Sequence, residues 1–352
     1  MTQLFSPLAI GDLTLPNRVI MAPLTRCRAG TGRVPTELMA EYYVQRASAG
    51  LIVSEATAVT PMGVGYPDTP GLWSAAQVAG WKVITDAVHA AGGRIFAQLW
   101  HVGRISDPVH LHGELPVAPS AVRPAGHPSL LRPMREFVTP RALEIDEIPA
   151  IVQAYAQAAQ NAQRAGFDGV EVHGANGYLI EQFLADKTNR RTDAYGGSIE
   201  NRARFLLEVV DAVTAVWGPG RVGVHLSPRC DSNDSGTSDA PELFLHVARA
   251  LGERRLAFLF TREFEGPDSL TPAMKAAFGG VVIANEKFNA ESAEAAIASG
   301  RADAVSWGKA FIANPDLVER LKRGAPLQAV DFDTVYGVGE LGPVGYTDYP
   351  AL

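Results

Sequence analysis

Short apolar runs alternate with helix-period segments along nearly all of this 352-residue chain. An apolar run that fits one buried strand, followed by a segment that fits one helix, is the pattern of a βα unit with parallel strands. The chain holds eight such units, and eight parallel strands close a barrel. The sequence therefore predicts an α/β fold, a single (β/α)8 TIM barrel over residues 1–352. The predicted strands are 18–23, 51–57, 94–101, 169–174, 222–227, 256–261, 281–284 and 304–308.

Composition agrees with one large barrel, although by itself it also fits two average domains. With 47% hydrophobic and 20% charged residues, the chain can bury a large core. Segment 74–93 illustrates one predicted helical unit. Ser74 and Gln77 fit a capping box at its start, and Gly92 fits its end. This segment should therefore form one bounded helix on the outside of the barrel.

A Pro-rich stretch at residues 106–143 interrupts the alternation after the third predicted strand. It carries short alternating apolar stretches, which predict a hairpin within the insertion. In barrels of this type, loops at the carboxyl ends of the strands build the active site. A long loop at this place predicts a cap over the mouth of the active site.

Charge and hydropathy restrict the class of partner. A formal net charge of −7 and the lack of a Lys/Arg run argue against nucleic acid and favour a small-molecule substrate or cofactor. The first residues lack the features of a signal peptide, and no apolar run approaches the roughly 20 residues of a membrane helix. We therefore expect a cytoplasmic protein that does not enter a membrane. Cys27 and Cys230 are expected to be free thiols in a reducing compartment.

Three motifs resemble ligand sites but have the wrong context. GPGRVG at 218–223 precedes a strand, whereas a dinucleotide fingerprint must follow one. DSNDSGTSDAPE at 231–242 has the spacing of a calcium loop, but it follows a strand instead of lying between two helices, which favours a solvated βα loop. No HExxH pattern or carboxylate completes a metal site with His101, His110 and His112, and we predict no metal.

The stretch DGVEVHGANGYLIEQFL at 168–184 concentrates polar side chains where a predicted strand gives way to a helix. A histidine at a strand end is most often structural, and a tyrosine here could fill the core. Together, His173 and Asn176 offer two donors that can converge on one oxygen, and Tyr178 offers a proton. This set is suited to polarising a carbonyl group and protonating its α-carbon.

The last two predicted strands run into turns that suit a phosphate group. Loops after strands seven and eight of a barrel commonly present backbone N–H groups to phosphate. Gly308 ends the eighth strand, and Lys309 adds a positive charge. The alternative is that Gly308 only terminates the strand and Lys309 is a solvated surface charge.

Several motifs are similar to those of the Old Yellow Enzyme family, the FMN-dependent NAD(P)H ene-reductases of the N-ethylmaleimide reductase type. The opening NRVIMAPLTR is followed by GYPDTPGLWS, QLWHVGRIS, the long run EVHGANGYLIEQFLADKTNRRTDAYGGSIENRARFLLEVVDAV, and FIANPDLVERL. The similarity extends from LFSPLAIGDLTLPNRV near the start to GYTDYPAL at the end. A chance match over so much of the chain is implausible.

Position by position, the resemblance implies an FMN site. The residues implied around the flavin ring are Pro23, Thr25, Ala58 and Gln98, with Thr25 at its carbonyl edge. Gly308 and Lys309 are implied to hold the phosphate. The remaining implied cofactor contacts are His225, Asn285 and Trp307.

The resemblance also implies an acceptor site above the flavin. His173 and Asn176 would bind the carbonyl or nitro oxygen of the substrate, and Tyr178 would be the proton donor. The implied aromatic lining of this site is Tyr66, Trp100 and Tyr336. The implied reaction is ping-pong. NADH or NADPH gives a hydride to the flavin and leaves, and an enone, nitro compound or quinone then takes its place.

The chain departs from the family pattern at three places. His225 stands where Arg is usual beside the flavin, Glu286 stands where a Gly is usual at the seventh-strand turn, and Lys309 stands where Arg is common. A cation at His225 should be present in acid and fade toward pH 8. Arg229, on the same strand face, is the alternative source of that cation.

Two other functions remain open at this level. A flavin-free lyase or isomerase acting on a phosphorylated substrate would need a base at a strand end, and Glu55 is the candidate. A binding barrel without activity would be favoured if Glu286 repels phosphate. The sequence leaves the monomer and the homodimer equally open.

Overall fold

The computed structural model describes residues 3–229, 232–337 and 341–352. Eight parallel strands in these ranges are labelled β1 to β8. They are Val19–Met21, Leu51–Val53, Ile95–Trp100, Gly169–His173, Val222–Leu226, Phe258–Arg262, Val282–Asn285 and Ala304–Trp307. Each strand pairs with the next, and β8 pairs with β1, so the sheet is closed. The predicted (β/α)8 barrel is confirmed.

Helices surround the barrel and connect its strands. Within the described ranges the α-helices are labelled α1 to α10. They are Glu37–Val44, Ala75–Ala90, Ile148–Arg164, Leu179–Leu184, Ile199–Trp217, Ala240–Glu253, Thr271–Phe278, Ala290–Ala298, Lys309–Ala313 and Leu317–Arg323. The predicted capping box is confirmed at α2, where the Gln77 N–H donates to Ser74 Oγ and the Ser74 N–H donates to Gln77 Oε1. None of the described helices combines the length and apolar character needed to cross a membrane.

Aromatic rings fill the lower interior of the barrel. The rings of Phe96 on β3 and Phe258 on β6 lie 5.8 Å apart between centroids and are fully buried. Each ring lies over a glycine of the neighbouring strand. A Cβ at Gly169 would come within 2.3 Å of Phe96, and one at Gly223 within 2.2 Å of Phe258. The interior at this level is packed, as the barrel fold requires.

An antiparallel hairpin covers the amino-terminal end of the barrel. It is formed by Leu8–Ile10 and Leu13–Leu15. The buried side chains of Ile10 and Leu15 belong to the same apolar cluster as Phe96 and Phe258. Among the described residues this cluster fills the lower end of the barrel, which leaves the carboxyl ends of the strands as the place for a ligand.

The insertion at 106–143 differs from the prediction. Its strands, Val117–Ala118 and Arg141–Ala142, pair in parallel and do not form a hairpin. Pro116 and Pro119 bracket the first strand and Pro140 precedes the second, and because proline lacks the N–H that a ladder needs, this pairing stays short. Phe137 of this insertion is buried in the same cluster as Trp100, and Tyr66 and Tyr178 pack against that cluster.

Residues 335–337 and 341–347 are fastened to the barrel by buried arginines. Arg26 Nε donates to the Val335 carbonyl at 2.9 Å, and Arg28 Nη2 donates to the Val344 carbonyl at the same distance. Arg46 donates to the Tyr346 carbonyl at 3.4 Å. These bonds join the C-terminal segment to residues near β1 and α1.

Candidate active site

A cavity of about 720 Å³ opens at the carboxyl ends of the strands. Of the predicted site residues, all except Ala58 line its wall. They are Pro23, Thr25, Tyr66, Gln98, Trp100, His173, Asn176, Tyr178, His225, Asn285, Trp307, Gly308, Lys309 and Tyr336. The sequence therefore identified one spatial site, contributed by loops and ends of many strands.

Ala58 is the exception. The predicted second strand 51–57 breaks after Val53, and the chain resumes strand pairing only at Thr57–Ala58. In this register Ala58 is fully buried beside Trp100 and does not reach the cavity. Ala56, which lies within the break, lines the cavity in its place. The resemblance implied Ala58 at the flavin, whereas the break in the strand places Ala56 on the cavity wall.

The turn after β4 is fixed by the end of the next strand. Asn176 has a φ of +59°, and its N–H donates to Ser227 Oγ at 2.8 Å. Ser227 in turn donates to the buried carboxylate of Glu181 at 2.6 Å. Gly177 has a φ of +74°, and a Cβ there would come within 2.5 Å of the Ser232 carbonyl, so glycine is required. The turn therefore presents its side chains rigidly.

His173 and Asn176 both present hydrogen-bond donors. The Ala175 N–H donates to His173 Nδ1 at 3.2 Å, so the neutral imidazole carries its proton on Nε2. Burial first, and then the neighbouring His225 and Arg262, hold the pKa of His173 well below its ordinary value. Asn176 Oδ1 accepts from Arg262 at 2.7 Å, which leaves the amide NH2 as the donor. Two neutral donors of this kind suit one carbonyl oxygen.

Tyr178 lies among aromatic rings at the start of α4. Its ring meets those of Trp100 and His173 edge to face, each at 5.1 Å between centroids. Its phenol oxygen lies 2.8 Å from that of Tyr66. Burial raises the pKa of Tyr178 to about 12, so the phenol keeps its proton at neutral pH and can donate it.

His225 is a neutral group in this site. Burial, with a further contribution from Arg262, lowers its pKa to about 3. This contradicts the expectation of a cation that titrates near neutral pH. Its Nδ1 lies 3.3 Å from Gln98 Nε2, which also donates to Glu171 Oε1 at 2.7 Å. His225 Nε2 is buried and has no hydrogen-bond partner among the described residues.

Arg229, the alternative cation, does not line the cavity either. Its Nε donates to Glu263 Oε1 at 2.6 Å, and its guanidinium also pairs with Asp268. The guanidinium that does reach the cavity wall in the described part of the chain is Arg262, the last residue of β6. The sequence prediction ended this strand at residue 261 and so left Arg262 out. Its side chain lies on the same strand face as Phe258 and Phe260, a pattern that could have identified it.

The end of the cavity beside β7 and β8 carries mixed charge. Lys309 Nζ lies 5.1 Å from the centre of the Phe332 ring, and Lys287 Nζ lies 4.6 Å from that of Phe264. Glu286, whose φ is +105°, accepts from Arg262 Nε at 3.0 Å. This ion pair offsets the negative charge that would oppose a phosphate group.

The sequence also offered a candidate base, two cysteines and a calcium-like stretch outside this set of site residues. The buried Glu55 carboxylate accepts from the Arg26 N–H at 3.2 Å and does not line the cavity. Cys27 is buried and free, whereas Cys230 lies outside the described residues. Asp231 also lies outside them, and in the rest of the calcium-like stretch Asp234 pairs with Lys187. In the described ranges no three His, Cys, Asp or Glu side chains cluster as metal ligands would.

The donor set of the cavity fits an FMN. His225 Nε2 and Trp100 Nε1 are buried donors that lack a protein partner within the described residues. Because buried polar groups normally form hydrogen bonds, these atoms call for a polar ligand in the cavity. Gln98 supplies an amide at the same depth, and Lys309 with Gly308 supplies a cation and a backbone turn at the rim. A polar ring with a phosphate tail matches this arrangement.

A closed barrel with a deep donor-lined pocket and a cationic rim at its carboxyl end defines a flavin-dependent oxidoreductase. The sequence profile of the NADH:flavin oxidoreductase / NADH oxidase family matches residues 3–328. The chain belongs to this family, in its Old Yellow Enzyme branch, and is an NAD(P)H-dependent, FMN-dependent oxidoreductase.

Similar proteins align with this chain over essentially its whole length. The "Probable flavin mononucleotide-dependent alkene reductase" of Leishmania infantum is 44% identical, over 99% of this chain and 97% of that protein. The structure of the old yellow enzyme homologue of Zymomonas mobilis has a TM-score of 0.96 and 46% identity, covering 99% of this chain and all of that one. Morphinone reductase in complex with tetrahydroNAD has a TM-score of 0.95 and 51% identity, covering 100% of this chain and 98% of that one.

Proposed function

We propose that this protein reduces the activated C=C bond of α,β-unsaturated carbonyl and related small acceptors by a ping-pong mechanism, with NADH or NADPH as hydride donor. The observation that supports this most is the convergence of His173, Asn176 and Tyr178 on one cavity. The names of an alkene reductase and of morphinone reductase among its relatives point to the same reaction class.

In this proposal the cofactor is held by residues of several strands. Pro23, Thr25, Gln98 and His225 hold the flavin ring, and Gly308 with Lys309 holds the phosphate. Asn285 and Trp307 complete this wall and are themselves fixed. Asn285 Nδ2 donates to Ser306 Oγ at 2.9 Å, and Trp307 Nε1 donates to the Phe288 carbonyl. When bound, FMN supplies the redox chemistry by taking a hydride from the nicotinamide and passing it to the acceptor's Cβ.

The chain itself supplies polarisation and a proton. His173 Nε2–H and the Asn176 amide bind the acceptor's oxygen and stabilise the negative charge that develops there as hydride arrives at Cβ. The Tyr178 O–H gives its proton to Cα, and water restores it. Tyr66, Trp100 and Tyr336 confine the acceptor between aromatic surfaces. The insertion at 106–143 excludes water from this side through Phe137.

The flavin-free alternative lacks a suitable base in the described residues. A lyase or isomerase needs a Schiff-base lysine or a carboxylate base in the cavity. Glu55 is not on the cavity wall, and Glu286 is paired with Arg262. The ammonium groups of Lys287 and Lys309 lie over phenylalanine rings at the rim. These placements favour the reductase.

Initial rates measured without oxygen test this proposal. The concentrations of NADPH or NADH and of 2-cyclohexenone are varied together, and a ping-pong reductase gives parallel double-reciprocal lines. Intersecting lines would contradict the mechanism. The purified protein should also show flavin absorption, and a colourless protein that gains neither absorption nor activity from added FMN would favour a different function.

A further inference from the structure

Arg262 enters the cavity from the end of β6. Side chains of a strand alternate between its faces, so Arg262 shares a face with Phe258 and Phe260. Phe258 belongs to the barrel interior, and the Phe260 ring lies 4.2 Å from that of His225. Arg262 is therefore directed inward at the mouth, and its side chain is only 33% exposed.

The contact with Asn176 determines which way the amide faces. Arg262 Nη1 donates to Asn176 Oδ1 at 2.7 Å. A guanidinium has donors and no acceptor, so the amide atom that it meets must be the oxygen. The NH2 group is then the donating end of the Asn176 amide. Without this contact, the terminal torsion of asparagine has two nearly equivalent orientations, and one of them turns an oxygen toward the acceptor's oxygen.

Glu286 holds Arg262 in this position. Its Oε2 accepts from Arg262 Nε at 3.0 Å, opposite the contact to Asn176. The φ of Glu286 is +105°, a backbone conformation that favours glycine. Glutamate is disfavoured in this conformation, but its carboxylate supplies a contact to Arg262 that glycine could not.

We propose that Arg262 is a positioning residue of the acceptor site, which orients the Asn176 amide so that its NH2 group faces the acceptor's oxygen, and that Glu286 anchors Arg262 for this purpose. This rests on the proposed function, since it assigns the oxygen ligand of Asn176. Arg262 also lies close enough to His173 and His225 to help keep both rings neutral.

A double-mutant cycle on the FMN-loaded protein tests the proposal. The probe is acetophenone, a neutral ketone without an activated C=C bond, and its binding is followed by the change in flavin absorption. Arg262→Met should weaken binding about tenfold, the effect of one lost or misdirected hydrogen bond. Because Arg262 acts through Asn176, the double variant with Asn176→Ala should bind no more weakly than Asn176→Ala alone. Independent, multiplying effects, or unchanged affinity in Arg262→Met, would overturn the proposal.

Two further variants test the role of Glu286 and provide a control. Glu286→Gln keeps Arg262 but removes its anchoring charge, and it should weaken binding by a smaller factor. If Arg262→Met does not fold, unchanged affinity in Glu286→Gln overturns the proposal. The matched control is Arg229→Met, which removes an arginine at the same mouth that pairs with Glu263 outside the cavity, and it should leave the affinity unchanged. A wild-type holoprotein that does not bind acetophenone would instead reject the proposed function itself.

Discussion

The phenol oxygens of Tyr66 and Tyr178 lie 2.8 Å apart and share one hydrogen bond. Burial raises the pKa of Tyr178, and the bond from Tyr66 acts in the opposite direction. Burial also raises the pKa of Tyr66 well above its ordinary value. Tyr66 therefore keeps its proton and makes Tyr178 a better acid than burial alone would allow.

Replacing Tyr178 separates the two half-reactions. Tyr178→Phe should leave flavin reduction by NADPH nearly unchanged and slow flavin reoxidation by 2-cyclohexenone by about 10²-fold, the usual contribution of a general acid. Tyr66→Phe should slow reoxidation less, since it only weakens the acid. Anaerobic stopped-flow absorbance measures both steps. Equal slowing of the two half-reactions by Tyr178→Phe, or of neither, would reject Tyr178 as the proton donor.

Neutral histidines make acceptor binding insensitive to acid. The pKa of His173 is held well below its ordinary value and that of His225 is lowered to about 3, so neither ring gains a proton between pH 8 and pH 5. The affinity for acetophenone should therefore stay constant over this range, and His173→Ala should reduce it at every pH. Absorbance titrations at pH 5, 6, 7 and 8 measure this. An inflection near pH 6.5 that His225→Gln removes would show that His225 does titrate.

Glu171→Gln should change how stability depends on pH. Burial raises the pKa of Glu171 from 4.5 to about 8, so between these values the folded protein keeps a proton that the unfolded chain has released. This proton stabilises the folded state in acid. The stabilisation is lost as pH rises, and the free energy of unfolding falls by up to about 1.4 kcal/mol per pH unit. Glutamine does not titrate. The variant should therefore become more stable relative to wild type from pH 5 to pH 8.

Urea unfolding at fixed FMN concentration measures this difference. Glu242→Gln, at an exposed position in the first turn of α6, is the control and should show no such trend. A stability difference between Glu171→Gln and wild type that does not change with pH would mean that Glu171 is ionised in the folded protein.

Arg46→Met should destabilise the protein strongly. Arg46 is fully buried and donates to the backbone carbonyls of Tyr42, Phe311 and Ile312 at 2.7–2.8 Å. Methionine would leave these acceptors without a donor, at about 1–3 kcal/mol each. We expect a loss of about 3 kcal/mol or more in the free energy of unfolding.

The control for Arg46→Met is Lys82→Met. Lys82 pairs with Asp86 on an exposed face of α2, where such a pair contributes about 0.5 kcal/mol or less. Chemical denaturation monitored by circular dichroism compares the two variants. Similar stability losses in both would show that the carbonyls around Arg46 find other partners.

The barrel could be predicted because each unit carries its own local signal. Seven of the eight predicted strands match observed strands within two residues at each end, whereas the second, 51–57, ends at Val53. The box at Ser74 and Gln77 predicted the start of α2. The site at His173, Asn176 and Tyr178 was predicted because two hydrogen-bond donors and a proton source occur together in one short turn. Such signals depend on neighbours in sequence.

The remaining features depend on contacts between distant segments. The neutral state of His225 comes from burial and from Arg262, which lies on the neighbouring strand, and neither is visible in the sequence around residue 225. The break after Val53 places Ala56, and not Ala58, on the cavity wall. It depends on the pairing of Thr57–Ala58 with β3. Likewise, the partnership of Glu286 with Arg262 spans 24 positions, so the glutamate could be read only as a repulsive charge.

The fastening of residues 335–337 and 341–347 also sets an order of events during translation. Val335 and Tyr336 line the cavity, and the bonds that hold this segment come from Arg26, Arg28 and Arg46 near the start of the chain. A nascent chain folds from its N-terminal part onward, so all eight strands leave the ribosome before this wall exists. The growing chain therefore has a barrel with one side of its cavity open. This side of the cavity closes only after residues around 346 have emerged and docked on arginines made about 300 residues earlier.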